Sequence, residues 1–509
     1  EKNQLAINRP LTWNMILLFI AGLIGLWLFN NFYWKRKGLP PGPIPLPIVG
    51  NLPEFSRLGL ENCSDKYKNV YGDIYTVWFG ESPMVFVCDI PTINETFIKD
   101  GETYAWRPID QAMSFLRNQG KYGLIFNDGH MWRHHRRATL HVFRDFGMGK
   151  NLMQERILDE TRYLLQGITE DIQKGQNCRI QTKVDIAVGN IINVLLFGYR
   201  FDKNNMEEFA TLKSVLQNHI RAIGKPFART LNFNPSLLKV CPKFLLKEFY
   251  QTIDDLTDFF KQQIKEHESK IDFTVEAEPT DFVEYYLRKK KVVEKEGEFE
   301  LYSNEQLYGA CVDLWLAGQE TTANTIAWGI IYLMENFDAQ KRLQQELDTV
   351  IGSDRLIIAD DKPQLNYLQA VIAETQRKCN LIPLNLPHRT IKDVVICGYK
   401  IPANTTITHH IGTVMRDKRY FDEPEKFKPE RFLDTNGKFF QPPALIPFGV
   451  GKRACLGEGL ARLELFLFIG NIFNQLEVTR DPTHPPDLTR IIGGTVQPEP
   501  FVCNIKKRF

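Results

Sequence analysis

The sequence predicts a mainly α protein with a minor β region, set behind an N-terminal membrane-spanning helix. Three observations carry that prediction. Apolar residues recur with helical period over most of residues 91–380; short β-like segments lie before and after that stretch; and one long apolar run stands near the start. The chain has 509 residues, 43% of them hydrophobic and 12% aromatic, which is the composition of an ordered globular protein. With 63 basic and 61 acidic side chains the formal charge is +2, so nothing electrostatic argues for nucleic-acid binding as the main function. The 9 cysteines are an odd set without CxxC spacing. That argues against a disulfide framework or a structural zinc site and fits a reducing compartment.

In chain order, residues 1–12 form a short stub ahead of the apolar run. From Trp13 to Trp34 only Asn14, Asn30 and Asn31 interrupt that run, and a helix of this length reaches about 33 Å, enough to span a bilayer. A cleavable signal peptide or a buried helix is the alternative. Against both stand the absence of a small-residue cleavage site, the aromatic residues Trp13, Trp27, Phe32, Tyr33 and Trp34 at the ends, and the following Lys35, Arg36 and Lys37. Residues 13–34 are therefore expected to be a single-pass anchor, with the stub lumenal and everything after Lys37 cytoplasmic. Residues 35–51 form a basic, proline-rich hinge in which Pro40, Pro41, Pro43, Pro45 and Pro47 enforce extended backbone. Residues 52–509 contain no Ser/Gly/Pro linker and are expected to fold as one domain.

Within that domain, residues 73–80 and 83–89 read as two short strands about a turn at Glu81 and Ser82. Amphipathic helices are expected around 149–173, 205–223, 245–270, 304–336 and 364–379. Strand-like pieces return near 394–401, near 405–412 and in the C-terminal tail.

The most specific segment is PFGVGKRACLGEGLARLELFLF, where Phe448, Gly451, Arg453, Cys455 and Gly457 match the pattern F-x-x-G-x-R-x-C-x-G and Gly449 adds a further glycine. A thiolate just before a helix is stabilised by unpaired backbone N–H groups and the positive end of the helix dipole. Glycines let backbone approach a flat ligand, and Arg453 can neutralise a carboxylate. The plainer reading is a structural cysteine in a Gly-rich turn.

On these residues the chain resembles the cytochrome P450 superfamily of haem-thiolate monooxygenases, over nearly its whole length. The likeness is to the microsomal, membrane-anchored animal type, in its xenobiotic- and fatty-acid-oxidising group and with a nematode cast. It implies the cytochrome P450 fold, a large helical domain plus a small β-rich part, and a haem b (iron protoporphyrin IX) whose proximal iron ligand is Cys455, with Phe448 packed beside the sulfur.

Further segments gain meaning from the resemblance. Glu374 and Arg377 share one helix face at i,i+3, which alone describes a surface ion pair; the family adds Arg431 of KPERF to form a buried network behind the haem. In LWLAGQETTANT, Ala317 and Gly318 are small enough for a ligand to lie against the helix, and the plain alternative is a threonine bonded back to a carbonyl. The family makes this the oxygen groove, with Thr321 contacting dioxygen or its water and Glu320 in a proton relay. Trp132 and Arg136 in HMWRHHRRATL, with Arg453, His388 and the weaker Arg107, would serve the haem propionates. The adjacent His134 and His135 diverge by about 100° on a helix, so a second metal is not expected.

Arg133, Arg137, Lys378 and Lys452 would form a basic face for NADPH-cytochrome P450 reductase, with cytochrome b5 as an optional second donor. The substrate pocket would draw on residues 111–124, 219–227, 381–386 and 493–496, including Phe115, Leu116, Ile223, Trp315, Leu381, Ile382 and Val496. Phe227, Leu231, Phe233, Leu237 and Leu238, with Lys225 and Arg229, would make a lip dipping into the bilayer. The implied function is insertion of one oxygen atom into a lipophilic xenobiotic, fatty acid or steroid at the endoplasmic-reticulum membrane. A haem-thiolate isomerase or dehydratase acting on peroxides is the second reading, although its usual loss of the groove threonine is not seen; a non-catalytic haem carrier or sensor is the third.

Overall fold

In a computed structural model, residues 13–108, 122–146, 151–175, 178–225, 227, 231, 234–296, 301–353 and 355–509 are described. The longer helices are α1 (Trp13–Phe32), α2 (Leu52–Leu58), α3 (Leu60–Tyr71), α4 (Gly129–Asp145), α5 (Asn151–Gln173), α6 (Ile180–Phe197), α7 (Met206–Gly224), α8 (Lys247–Glu268), α9 (Phe282–Glu296), α10 (Asn304–Glu335), α11 (Phe337–Val350), α12 (Asn366–Cys379) and α13 (Glu458–Gln475). The strands are β1 (Ile74–Phe79), β2 (Ser82–Val87), β3 (His388–Arg389), β4 (Val394–Ile396), β5 (Tyr399–Ile401), β6 (Thr406–His409), β7 (Leu476–Arg480), β8 (Arg490–Ile492), β9 (Val496–Pro498) and β10 (Cys503–Lys507).

Helix α10 is the spine. Ser303 caps it by accepting the Gln306 N–H, satisfying one of the donors that a helix start leaves free. Most of its residues are buried, and it packs against α6, α12 and α13 in one core that also takes in α5, α7, α8 and α9. Its buried polar side chains are spent on neighbours. Gln306 Oε1 accepts the Gly123 N–H at 3.0 Å, and Asp313 Oδ2 accepts the N–H groups of Leu124 and Ile125 at 2.7 and 2.9 Å. Gly309 allows that loop to approach, since a Cβ there would lie 2.7 Å from Gly123 N.

Helix α6 is apolar and long enough to cross a membrane, yet it is buried in this core, and its Asn190 bonds Glu160 and Phe201 inside it. Packing accounts for its composition. Helix α1 is the opposite case: Trp13, Leu18 and Leu26 are exposed, and Asn31 is its one buried residue.

The main sheet has the order β1-β2-β6-β3. β1 and β2 are antiparallel, with Ile74 opposite Val87, whereas β2 and β6 run parallel, with Met84 opposite Thr406. The proline-rich segment lies along this sheet and does not stand free of it. Thr76 N–H donates to Pro41 O at 2.9 Å, Asn51 N–H to Trp78 O at 2.7 Å, and Asn31 Nδ2 reaches back to Pro45 O at 3.0 Å. Gly42 permits the contact, because a Cβ there would sit 1.8 Å from Thr76 O.

Glu374 and Arg377, both fully buried on α12, form a two-bond fork at 2.7 and 2.9 Å. The remaining guanidinium protons go to the carbonyls of Met415, Pro424 and Lys426. Arg431 Nε completes the set within 3.3 Å of the Glu374 carboxylate, which also accepts the Lys428 N–H. Removing one partner strands the others in low dielectric. Glu374→Ala is therefore expected to lower stability by about 3–5 kcal/mol, measured as the denaturant midpoint or as loss of folded, soluble protein; an unchanged midpoint contradicts the network.

Candidate functional site

The loop before α13 is shaped by glycines. Gly449 and Gly451 have φ of +67° and +73°, and a Cβ on Gly451 would meet the Phe97 carbonyl at 1.9 Å. The Cys455 N–H donates to Phe448 O at 2.9 Å, which closes the loop and sets the thiol just ahead of the first turn of α13. The Phe448 ring stacks under the Arg462 guanidinium at 4.9 Å. Burial pushes the Cys455 thiol up, and a hydrogen bond from the Gly457 N–H and the Arg136 charge act against that rise. Yet Cys455 is accessible. A thiol can be both only where it opens onto an interior space.

Beside it lies a cluster of cations. Arg136 Nη2 donates to Ala454 O at 2.6 Å, and Arg453 uses Nε on Ala105 O at 2.6 Å and Nη2 on Asn127 O at 2.7 Å. The buried Trp132 ring supports both, with the Arg453 guanidinium 3.6 Å and that of Arg136 5.9 Å from its centre. Arg453 Nη1 is buried without a partner. Burial, then Arg107 and Arg136, push Arg453 down to about 7, and burial with Arg136 pushes Arg107 down to about 9. A guanidinium keeps its proton, so these shifts express the cluster's demand for an anion. The neighbouring Asp128 answers it only in part, being paired with Arg389 at 3.2 Å.

Two residues grouped with this cluster in the sequence have other partners. Arg107 donates to the carbonyls of Ile125, Leu386 and Pro387, stitching the loop after residue 122 to the segment before β3. His388 Nδ1 donates to Tyr104 O at 2.6 Å, and burial holds its ring neutral, well below the usual imidazole range. His134 and His135 stand edge to face at 5.2 Å, both against the Tyr302 ring, with His134 Nε2 bonded to Tyr302 Oη and His135 Nε2 to Leu301 O. Among the described residues no three His, Cys, Asp or Glu side chains converge to hold a metal. Cys455 is thus a single soft donor, suited to a metal that brings its other ligands with it.

Away from the ends of α10 the exposed residue is Ala317, between half-buried Leu316 and Gly318, with half-buried Thr321 one turn on. Thr321 Oγ1 donates to Ala317 O at 2.6 Å, leaving its lone pairs free. Gly318 corrects the reading that both small residues face a ligand: a Cβ there would touch Ile192 of α6 at 3.0 Å, so its smallness serves helix packing. The Glu320 carboxylate is held by Thr495 and Gln497 of the C-terminal hairpin. Burial raises its pKa above the ordinary carboxylate value.

Other expectations fare unevenly. Trp315 and Val496 are fully buried; the Trp315 ring lies 6.5 Å from that of Phe209, and the Val496 N–H donates to Leu381 O at 2.8 Å. Leu381 and Ile382 are half-buried. Phe115, Leu116, Arg229, Phe233 and the Ile223 side chain lie outside the described residues. In the lip, Phe227 is exposed, but Leu231, Leu237 and Leu238 pack inward on Phe249 and Ile253; the exposed apolar residues nearby are Val240, Phe244 and Leu245. The sequence reading missed Asn127, Asp313, Thr495 and Gln497. A signal existed for part of this, since Gln306, Asp313 and Glu320 fall seven apart on an otherwise apolar helix.

Comparison with known proteins identifies the family. The sequence profile of the family described as Cytochrome P450 matches residues 40–504. Among curated relatives, Cytochrome P450 2C25 of Mesocricetus auratus is 33% identical over 483 residues, 94% of this chain and 96% of its own length. Cytochrome P450 2B4 of Oryctolagus cuniculus is 33% identical over 482 residues, 93% and 94% of the two chains, and Cytochrome P450 2C6 of Rattus norvegicus 32% over 497 residues, 96% and 98%. With a family match over most of its length and relatives that align nearly end to end, the chain belongs to the cytochrome P450 family, whose members are haem-thiolate monooxygenases.

Proposed function

We propose that this monooxygenase inserts one atom of dioxygen into a lipophilic organic substrate, a xenobiotic, fatty acid or steroid, with NADPH electrons delivered by a flavoprotein reductase and cytochrome b5 as an optional second donor. Its resident group is haem b. The observation that carries this reading is the pair of guanidinium groups Arg136 and Arg453 on the Trp132 ring, with Arg453 Nη1 unpartnered and buried Arg107 behind them, beside an accessible interior thiol. Two propionates and one iron match that donor set.

Bound haem supplies the activation of dioxygen. The protein's own residues do the rest. Cys455 would be the residue that holds the iron, kept as thiolate by the Gly457 N–H and by the start of α13. Gly449 and Gly451 hold the loop close, and Phe448 with Arg462 shields the sulfur from water. Arg136 and Arg453 take the propionates, Arg453 through its unpartnered Nη1; Trp132 fixes both planes, while Arg107 and His388 set the backbone behind them. Ala317 leaves room for the ring. The Thr321 hydroxyl orients water and passes a proton at Oγ1, and Glu320 holds the proton in reserve, poised by burial.

Helix α1 anchors the enzyme in the endoplasmic reticulum, and Lys35, Arg36 and Lys37 place the catalytic domain on the cytoplasmic side. Arg133 and Lys452 approach a single acid, Glu102, at 3.8 and 3.5 Å, so that face keeps a surplus of cations, extended by Arg137, for an acidic reductase, whereas Lys378 is paired with Glu425 at 3.1 Å and adds none.

Two outcomes are expected. Thr321→Ala should load haem normally but form about tenfold less product per NADPH consumed, the equivalent of one hydrogen bond of about 1.4 kcal/mol; unchanged yield removes Thr321 from the proton path. Lys452→Glu should slow reductase-supported turnover most at low salt, with the difference shrinking as salt screens the face. Equal rates for both proteins across ionic strength contradict docking there.

A further inference from the structure

The carboxyl of Glu320 stands one residue before Thr321, yet the residues that hold it come from the far end of the chain. Its Oε1 accepts from Thr495 Oγ1 at 3.2 Å and from Gln497 Nε2, 175 and 177 positions downstream. Thr495 Oγ1 in turn accepts from Asn324 Nδ2 at 3.3 Å, so the hydroxyl proton is directed toward the carboxylate. One turn further, Trp328 Nε1 donates to Val496 O at 3.0 Å, and Val496 N–H donates to Leu381 O at 2.8 Å. Positions 320, 324 and 328 form one stripe of α10, and three consecutive residues around the start of β9 meet it. The turn that carries them, at Gly493 and Gly494, is exposed.

The other charged groups facing Glu320 are Lys213 of α7 and Asp185 of α6. They pair with each other at 3.5 Å, and both bond Gln319, at 3.2 and 3.1 Å. Neither hydrogen-bonds Glu320.

We infer that Thr495 and Gln497 are positioning residues for the Glu320 carboxyl, so that the β8–β9 hairpin sets where the proton reserve beside Thr321 points. This rests on the relay proposed above and adds its control. The hairpin is joined to the 381–386 segment through Val496, so a substrate that presses on either element moves the carboxyl with it. Proton supply is then tied to occupancy of the substrate side, through two side chains that do not touch the reacting atoms.

The test is infrared titration of the haem-loaded, substrate-free protein, with the Glu320 carboxyl band assigned by its loss in Glu320→Gln. Thr495 and Gln497 both bond the charged form, so removing either donor favours the protonated acid. The midpoint is expected to rise by about one unit, a tenfold change in the proton equilibrium, in Gln497→Leu and in Thr495→Val. Thr495→Ser, which keeps the donor, is expected to restore it. With haem content unchanged, Gln497→Leu should also form severalfold less product per NADPH. Midpoints unmoved in both Gln497→Leu and Thr495→Val overturn the inference. A Glu320→Gln enzyme with undiminished coupling instead overturns the relay on which it rests, and the band titration reads the tether independently of that.

Discussion

Burying a cation without its full counter-charge costs several kcal/mol even after relaxation, and this chain buries Arg107, with Arg136 and Arg453 half-buried beside it, where Asp128, already paired with Arg389, answers them only in part. Around that imbalance the rest of the structure makes sense. Trp132 spreads its ring between two guanidinium groups, backbone carbonyls from four separate segments absorb most of the N–H donors, and one buried donor, Arg453 Nη1, is left over. The same loop that delivers Arg453 delivers Cys455 two residues on, so the seat for an anionic ring and the proposed ligand for its metal cannot be displaced independently.

Elsewhere the protein treats buried charge differently. Glu374, Arg377 and Arg431 are matched to one another and to carbonyls with almost nothing left over. That network binds α12 to the segment carrying residues 415–431, which precedes the cysteine loop, and it suits a part that holds shape rather than one that binds. The contrast between a satisfied ionic network and an unsatisfied one separates framework from site here more sharply than burial does, since both lie in the interior.

The parts of this arrangement that were legible in the sequence are the local ones. Gly449, Gly451 and Cys455 sit within seven residues, so their geometry is written in their spacing; α5, α7 and α8 announce themselves by period because each has a wet side, whereas α10 and α12, read as amphipathic in the same way, are mostly buried. Helix α6 does not, since burial on most sides leaves an apolar run that composition cannot tell from a membrane span. Non-local pairings were invisible for the same physical reason. Gly318 is as consistent with a ligand as with Ile192 until α6 is in place, Arg107 meets carbonyls 279 and 280 positions away, and nothing near Glu320 points to a threonine and a glutamine in the last hairpin.

The central claim is that Cys455 binds iron as a thiolate in a seat made for a dianionic ring. The most direct measurement is the absorbance difference spectrum of reduced, haem-loaded protein with and without carbon monoxide. The account predicts the long-wavelength Soret band for which the cytochrome P450 family is named. A band at the shorter wavelength of a lost or protonated thiolate, in protein shown to be folded, or folded protein that takes up no haem, would contradict it.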